Sequence, residues 1–294
     1  MSLRNTAFVV LAHQDAPMVR RTLSALGGAE VFLHCDRRTS RREAQAMIPP
    51  GMRSVHALPR RSVSLGSWSL VEAELDGLRA ALSQSRAGHI AIMSGSCYPL
   101  ASAEAIDDHL ADAPGCSHFE LHALPRNTWD APWANDGGMW RFEHRFLTFG
   151  DHLMMIRQRP LPIWRQTPPA CLNLHGGAQW KVYARHHARL LLQVIDDNPR
   201  LRAYWKRMFI PDEACAHSIL KSPELVGEAA ATVLDDNLWF IHWPTTDPTQ
   251  HPEWLTQDDA DAITAAAQAG KLFARKVGSA QGTLLDFIDA TCRS

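Results

Sequence analysis

Three short apolar runs near the start of the chain each end in a polar side chain: His13, Asp36 or Ser94. Runs of this kind that alternate with amphipathic helical stretches predict an open, mostly parallel α/β sheet flanked by helices. In such sheets, ligands bind at the carboxyl ends of the strands. We therefore expect these three side chains to lie at the ligand-binding edge of a sheet. The runs are Ala7–Ala12, Glu30–His34 and His89–Met93.

The elements that must position these side chains follow from apolar spacing and capping residues. One helix is predicted to open at Pro17, and another to run from Ser67 to Leu82 with Ser67 or Ser69 as its cap and Glu72 in its first turn. Residues 120–175 are rich in Trp, Pro, Arg and His, and they predict an irregular cover over the sheet, where specificity usually lies. The remaining predictions are a strand over Val55–Leu58 and helices over Ser40–Met47, Tyr183–Val194, Asp212–Leu220 and Asp258–Ala269.

Composition excludes several classes of protein. The 294 residues are 46% apolar and 21% charged, which suffices for a large core. Thirty basic against 31 acidic residues give a net charge of −1, so a nucleic-acid partner or a peripheral membrane site is not expected. The six cysteines are scattered, as in a reduced cytoplasmic protein. The run Ala7–Ala12 is too short to span a membrane, so a soluble, unexported protein is expected.

Several common catalytic signatures are missing from the sequence. There is no Gly-x-Ser-x-Gly elbow, P-loop, Gly-x-Gly-x-x-Gly or His-Glu-x-x-His motif. Metal-dependent sugar transferases usually carry Asp-x-Asp after a central strand, but Ser94-Gly95-Ser96-Cys97 has no carboxylate there. The one Asp-x-Asp, Asp259-Ala260-Asp261, lies in an alanine-rich stretch and is interpreted as a solvated helix face. No metal site is therefore expected.

Seven short motifs occur in one order along about 270 residues, and together they resemble the core-2/I-branching family of β-1,6-N-acetylglucosaminyltransferases, which also contains peptide O-xylosyltransferases. Each motif alone is weak, and their common order carries the resemblance. The motifs are Val9-Val10-Leu11-Ala12-His13, His34-Cys35-Asp36-Arg37, Leu65-Gly66-Ser67-Trp68-Ser69-Leu70-Val71-Glu72-Ala73, Ser94-Gly95-Ser96-Cys97-Tyr98-Pro99-Leu100, Gly176-Gly177-Ala178-Gln179-Trp180, Pro211-Asp212-Glu213 and Phe273-Ala274-Arg275-Lys276.

The resemblance implies a single GT-A-type domain over residues 1–294, with a nucleotide-binding half (1–115) and an acceptor and catalytic half (116–294). It implies an inverting glycosyltransferase that uses a UDP-sugar, here UDP-N-acetylglucosamine, with no metal or other cofactor. The acceptor would be a glycan or small glycoside in bacterial polysaccharide biosynthesis, and the enzyme would be cytoplasmic and without a membrane anchor. Two alternatives remain: a UDP-xylose, UDP-galactose or UDP-glucose donor, or a non-catalytic sugar-binding relative.

Glu213 matches the family's catalytic base, and Lys276 matches its pyrophosphate lysine, with Arg275 as a second cation. An inverting transfer needs a carboxylate to take the acceptor proton, and without a metal the departing diphosphate must meet fixed cations. The structural alternatives are first-turn acidic residues of a helix for Asp212 and Glu213, and a solvated basic turn for Arg275 and Lys276.

The remaining positions are assigned by the resemblance alone. Asp36 matches a uridine contact, although an Asp after a strand is often only a turn former. Cys97 replaces a family aspartate, and it is interpreted as a small packed residue rather than a nucleophile. The family's upstream arginine is missing near His251, so Arg275 or His251 would substitute for it. The nucleoside pocket would further include Ala12, His13, Ser94 and Gly95.

Substrate contacts are expected from tryptophans and from a basic segment. Trp243 matches a family platform for acceptor sugar, and Trp180 follows a glycine-rich turn that would approach the donor sugar. Arg141 is an acceptor candidate together with Glu143, His144 and Arg145. Five of the ten tryptophans fall between residues 129 and 180: Trp129, Trp133, Trp140, Trp164 and Trp180.

Overall fold

The computed structural model describes residues 5–126, 129–130, 134–157, 159–244 and 251–293. Its centre is a seven-stranded sheet with the order β16-β6-β15-β4-β1-β2-β3. The strands are β1 Thr6–Ala12, β2 Val31–Cys35, β3 Val55–Ala57, β4 His89–Ser94, β5 Cys97–Pro99, β6 Ser117–Phe119, β7 His122–Ala123, β8 His144–Phe146, β9 Thr148–Phe149, β10 His152–Leu153, β11 Met155–Ile156, β12 Arg159–Pro160, β13 Pro162–Arg165, β14 His175–Gly176, β15 Lys181–Ala184, β16 Val233–Asp235, β17 Trp239–Ile241 and β18 Phe273–Arg275.

Helices cover the sheet, and their starts follow local capping rules. Asp15 caps the first helix by accepting a hydrogen bond from the Met18 amide, and Ser40 caps the second in the same way. The helices are α1 Ala16–Ala25, α2 Arg41–Ala46, α3 Trp68–Gln84, α4 Ala103–Ala111, α5 Arg185–Asp197, α6 Pro199–Trp205, α7 Cys215–Leu220, α8 Pro223–Val226, α9 Ala260–Gln268 and α10 Gly282–Thr291.

The expected α/β class with a mostly parallel sheet is confirmed. β3, β2, β1 and β4 are parallel neighbours, and all residues of β1, β2 and β4 are buried. Parallel strands buried on both faces are typical of such sheets. The carboxyl ends of β4, β1 and β2 therefore lie side by side, which brings the exits at Ser94, His13 and Asp36 to one edge, as expected.

α3 packs closely on the central sheet through a glycine. A Cβ atom built on Gly77 would lie 2.3 Å from the Cγ1 atom of Val9 in β1. This distance is too short for any real contact, so the absence of a side chain at Gly77 allows the helix to approach the strand.

Three details of the sequence prediction are wrong. Tyr183 and Ala184 belong to β15, which runs antiparallel to both of its neighbours, so the predicted helix begins at Arg185. The predicted helix Asp212–Leu220 is instead a 3₁₀ turn over Pro211–Glu213 followed by α7. Glu72 lies beyond the first turn of α3, where it accepts a hydrogen bond from the Trp68 indole at 2.6 Å.

A second, three-stranded sheet joins the end of the chain to the ligand edge. β18 pairs with β17 in parallel and with β5 in antiparallel orientation, and Arg275 lies opposite Cys97 and Ile241. α9 and α10 contribute Ile263 and Leu284 to the small apolar core beneath this sheet. The pairing places the basic end of β18 beside the loop that follows β4.

Candidate active site

Arg275 is held against the loop after β4. Its guanidinium donates hydrogen bonds to the Ser94 hydroxyl and, at 2.8 Å, to the Ser96 hydroxyl. It also lies 4.4 Å from the centre of the Trp180 ring. The buried Arg275 Nε atom has no hydrogen-bond partner among the described residues. The arginine is thus fixed in orientation while one of its donors is unused.

Lys276 lies next to this arginine, and it packs its ammonium 4.3 Å from the centre of the Trp254 ring. Burial, together with repulsion from Arg275, lowers the pKa of Lys276. Among the described residues, no carboxylate forms an ion pair with either cation. Two adjacent cations without a counterion at a strand end make a site for an anion.

The loop after β1 borders the same place. Gly95 packs on Ala12, since a Cβ atom at Gly95 would lie 3.2 Å from the Ala12 Cβ. The Asp15 carboxylate accepts a hydrogen bond from the Ser279 amide at 2.9 Å, which ties this loop to the segment after Lys276. The structure therefore brings together Ala12, Gly95 and both cations.

Asp36 has internal partners on both carboxylate oxygens. The Arg38 amide and guanidinium donate to it at 2.7 to 3.1 Å, and the Val63 amide donates at 3.0 Å. Burial disfavours ionisation of Asp36, but these hydrogen bonds outweigh it and lower its pKa to about 2. Four donors fill the acceptor capacity of a carboxylate. Asp36 thus braces the loop after β2, and its uridine contact stays a prediction. His13 is exposed, and its carbonyl accepts from the Thr39 hydroxyl.

The Pro-Asp-Glu turn is held in an unusual backbone conformation. Ile210, which precedes it, has φ 54° and ψ 55°, the left-handed region that β-branched residues avoid. The Ile210 amide donates to the Gly66 carbonyl at 2.9 Å. Backbone strain of this kind costs about 1–3 kcal/mol and persists where the surroundings impose it, often at functional sites.

A buried polar cluster contacts the backbone of the Pro-Asp-Glu turn. Lys181 in β15 is fully buried, and its ammonium donates to the Asp212 carbonyl at 3.3 Å and to Glu74 of α3 at 3.4 Å. The Tyr183 hydroxyl donates to the same Glu74 oxygen at 2.6 Å. Buried charges need such partners, so the cluster fixes the position of the turn relative to β15 and α3.

Arg141 contacts the carboxylate that the sequence indicated as the base. Its guanidinium lies 3.5 Å from the Glu213 Oε2 atom, and its side chain is 9% exposed. It is packed between the rings of Trp129 and Trp140, at 5.0 and 5.9 Å from their centres. Arg141 was expected to contact the acceptor, whereas its observed partner is Glu213.

The two carboxylates of the turn differ in their surroundings. Glu213 is only partly buried, because its side chain keeps 36% of its exposure. Burial raises the pKa of Glu213, and the charge of Arg141 opposes that rise. Asp212 is buried, one of its oxygens has no partner, and burial with repulsion from Glu213 raises its pKa to about 7.

A short segment connects the turn to the cations. The Gly177 amide donates to the Glu213 carbonyl at 3.0 Å, and three residues later Trp180 lies against Arg275. Three residues span at most about 11 Å. The glycine-rich turn packs against other parts of the chain. Cβ atoms at Gly176 and Gly177 would overlap the Trp129 ring and the Glu120 carbonyl. These glycines permit close packing, and their expected approach to a donor sugar is untested.

Of the other residues predicted to contact substrate, Trp243 is exposed, whereas the three polar residues have partners within the protein. Trp243 is 47% exposed and lies two residues beyond Ile241, the partner of Arg275 in the small sheet. The side chain of His144 bonds a carbonyl within its own segment. Glu143 and Arg145 pair with Arg165 and Gln166. None of these three contacts Glu213 in the described part of the chain.

The tryptophan cluster does not form one surface. Trp140 and Trp180 are buried, Trp129 is half-buried against Arg141, and Trp164 is exposed. Trp133 lies outside the described residues. Core packing thus accounts for two of these rings.

Several of the fifteen histidines are structural. His187 accepts or donates hydrogen bonds at both ring nitrogens, and burial lowers its pKa to about 4. His217 is fully buried against the Ala178 carbonyl, and burial lowers its pKa as well. In the described ranges, no three His, Cys, Asp or Glu side chains are grouped as metal ligands. Nor does any described helix have the length and apolar character needed to cross a bilayer.

Glu74 and Lys181 were not identified from the sequence. Glu74 lies on a helix predicted from its apolar spacing, and Lys181 begins β15 two residues before the start of the predicted helix Tyr183–Val194. The available signal was a lysine inside an apolar run, Lys181-Val182-Tyr183-Ala184, because a charge there must find a buried partner.

Comparison with known proteins gives one family match. The model of the family described as "Branch: Core-2/I-Branching enzyme" matches residues 6–264. No curated protein matches the chain. Among solved structures, a putative glucose-1-phosphate thymidylyltransferase from Bacillus anthracis in complex with a sucrose is similar, with 7% identity over 63% of this chain and 74% of that chain and a TM-score of 0.32.

Proposed function

The chain belongs to the Core-2/I-branching enzyme family and is thus a glycosyltransferase, and from this premise we propose an inverting, metal-independent transfer from a UDP-sugar to a glycan or glycoside hydroxyl. UDP-N-acetylglucosamine is the proposed donor, with the β-1,6 branching type as the reaction class. The supporting observation is that Glu213, which contacts Arg141, lies one short segment away from two cations that no carboxylate of the described residues neutralises.

Glu213 is the proposed base. The acceptor hydroxyl attacks the anomeric carbon while its proton passes to a Glu213 oxygen, and the bond from that carbon to the diphosphate oxygen breaks in the same step. A carboxylate with a raised pKa is a stronger base near neutral pH. Burial raises the pKa of Glu213, and the nearby positive charge of Arg141 opposes that rise.

Lys276 and Arg275 are the proposed partners of the leaving diphosphate. Negative charge grows on the diphosphate as the bond breaks, and fixed cations stabilise it without reorganisation. The Arg275 guanidinium is already oriented by Ser96 and Trp180. Arg275 thus takes the place of the missing upstream arginine in this proposal.

In this proposal, the loops around this centre would bind the nucleoside and the acceptor. Ala12, His13 and Asp36 at the sheet edge would border the uridine, with Ser94 and Gly95 beneath the diphosphate. The exposed Trp243 offers a flat apolar surface on which an acceptor sugar can rest. A bacterial cytoplasmic setting is part of the proposal, and cell fractionation tests it.

The test is Glu213→Gln, with Glu224→Gln as a matched exposed control. A panel of UDP-sugars is screened for UDP release, with and without acceptor extract. Glu213→Gln should abolish release but leave UDP affinity in calorimetry unchanged, whereas the control keeps both. Near-normal turnover of Glu213→Gln refutes the base. Loss of wild-type turnover in excess EDTA refutes metal independence, and no release from any donor would favour a sugar-binding relative.

A further inference from the structure

The irregular cover carries an exposed apolar arm, which we define as residues 147–157 and 159–165. Ten large apolar side chains are exposed in the described ranges, and seven of them lie in this arm. Phe149 is 80% exposed and Trp164 is 60% exposed. Such concentrations of exposed apolar groups mark interaction surfaces. The seven are Leu147, Phe149, Met154, Met155, Ile156, Ile163 and Trp164.

The arm is built from hairpins on a buried root. β13 pairs with β8, and the short ladders β9–β10 and β11–β12 lie beyond it. Phe146, at the root, is buried against Trp140 at 5.7 Å between ring centres, and its amide donates to the Arg207 carbonyl at 2.9 Å. The exposed side chains therefore belong to a segment whose root is firmly packed.

The arm has one sign of charge at its surface. Arg157, Arg159 and Arg165 are exposed. Asp151 is the arm's one carboxylate in the sequence, and it pairs with Lys206 at 3.3 Å. Glu143, just outside the arm, approaches Arg165 at 3.8 Å. The near-neutral charge of the whole chain argued against a membrane surface, but this arm is locally basic.

We propose that the arm docks on an anionic lipid bilayer, with its apolar side chains in the interfacial layer and its arginines at the lipid phosphates. Aromatic and aliphatic groups flanked by arginines are the composition of interfacial anchors. Anionic headgroups complement the exposed arginines, which is the observation that favours a bilayer over a protein partner. The docking does not depend on the proposed transfer reaction.

Docking would also hold the catalytic centre near the bilayer. Trp140 contacts both Phe146 at the root of the arm and Arg141, the partner of Glu213. If the transfer reaction proposed above holds, this arrangement suits an acceptor sugar carried on a lipid.

The test measures binding of the full chain to vesicles of phosphatidylglycerol mixed with phosphatidylcholine, and to phosphatidylcholine alone. The wild type should bind the mixed vesicles and only weakly the neutral ones. Arg157→Gln/Arg165→Gln should lower the partition coefficient about 25-fold, since each surface cation contributes about fivefold. Arg53→Gln/Arg200→Gln, which removes the same charge at exposed sites elsewhere, should leave it unchanged.

A second variant tests the apolar part. Phe149→Ser/Trp164→Ser should weaken binding at least about tenfold, because two large apolar groups lose their burial, while circular dichroism and Tm stay unchanged. Absence of wild-type binding, or equal losses in both arginine variants, overturns the proposal. A wild-type dimer that the serine variant dissociates, without vesicle binding, also overturns it and makes the arm a contact between two copies.

Discussion

Removal of Arg141 should shift the pH dependence of the reaction in a defined direction. Arg141→Gln deletes the positive charge 3.5 Å from the Glu213 Oε2 atom. A charge at that distance is worth about 5 kcal/mol at an effective dielectric constant near 20, which is an upper limit for its effect on Glu213. Solvent reaches 36% of the Glu213 side chain and screens the pair. We therefore expect the pKa of Glu213 to rise in the variant, by less than this limit allows.

A change in the pKa of Glu213 should alter the acid limb, which is the part of the pH profile where kcat/KM rises with pH. A base must be deprotonated to act, so a higher pKa of Glu213 shifts the rise of activity to higher pH. Where wild-type Glu213 is ionised and the variant's is not, kcat/KM should fall about 10- to 100-fold, and it should recover towards alkaline pH. The assay is UDP release from the best donor of the panel, between about pH 5 and 9.

Two further variants separate this effect from damage to the fold. Arg141→Lys keeps a positive charge near Glu213 and should leave the acid limb close to that of the wild type. Arg145→Gln removes an arginine of the same segment that bonds Gln166 and should leave it unchanged. An acid limb that stays in place in Arg141→Gln, with activity lost equally at every pH, would refute the electrostatic reasoning.

Three other perturbations follow from the same structure. Lys276→Gln should weaken UDP binding in calorimetry about 10- to 100-fold, which is the usual contribution of a hydrogen bond to a charged group, without moving the acid limb. Unchanged affinity would contradict the proposed contact between Lys276 and the diphosphate. Gly77→Ala should lower the free energy of unfolding in urea by about 1–3 kcal/mol, because its Cβ overlaps a strand side chain, whereas Gly282→Ala, with no atom within 4 Å, should not. Asp212, whose pKa is raised from 3.8 to about 7, retains a proton that the unfolded chain loses, so its contribution to stability falls as pH rises between these values. Asp212→Asn should therefore gain stability relative to the wild type between pH 5 and 8 in denaturation, while the exposed Asp196→Asn should show no such gain.

The sheet edge could be predicted because its signals are local. Apolar runs of five or six residues with polar exits identify buried parallel strands, and the capping residues Asp15 and Ser40 act within one turn of their own helices. Tyr183 was assigned wrongly because a short apolar run next to an amphipathic helix fits either period. Its place in an antiparallel strand depends on pairing with β4, which lies some ninety residues earlier.

The proposed base and its surroundings were predictable only in part. Glu213 was indicated by its motif, but its partner Arg141 lies 72 residues away and Lys181 lies 107 residues from Glu74. No local pattern encodes such distances. The helix predicted over Asp212–Leu220 is interrupted at Ala214, whose φ of −141° separates the 3₁₀ turn from α7.

The contacts explain why weak motifs in one order were informative. The Gly66 segment bonds the residue before the Pro-Asp-Glu turn, and Gly177 bonds the carbonyl of Glu213. Ser96 in turn bonds Arg275. Motifs as far apart as Ser96 and Arg275, which are separated by 179 residues, are thus joined by direct contacts. These contacts join five of the seven motifs in space, which is why their joint occurrence is more informative than any one of them.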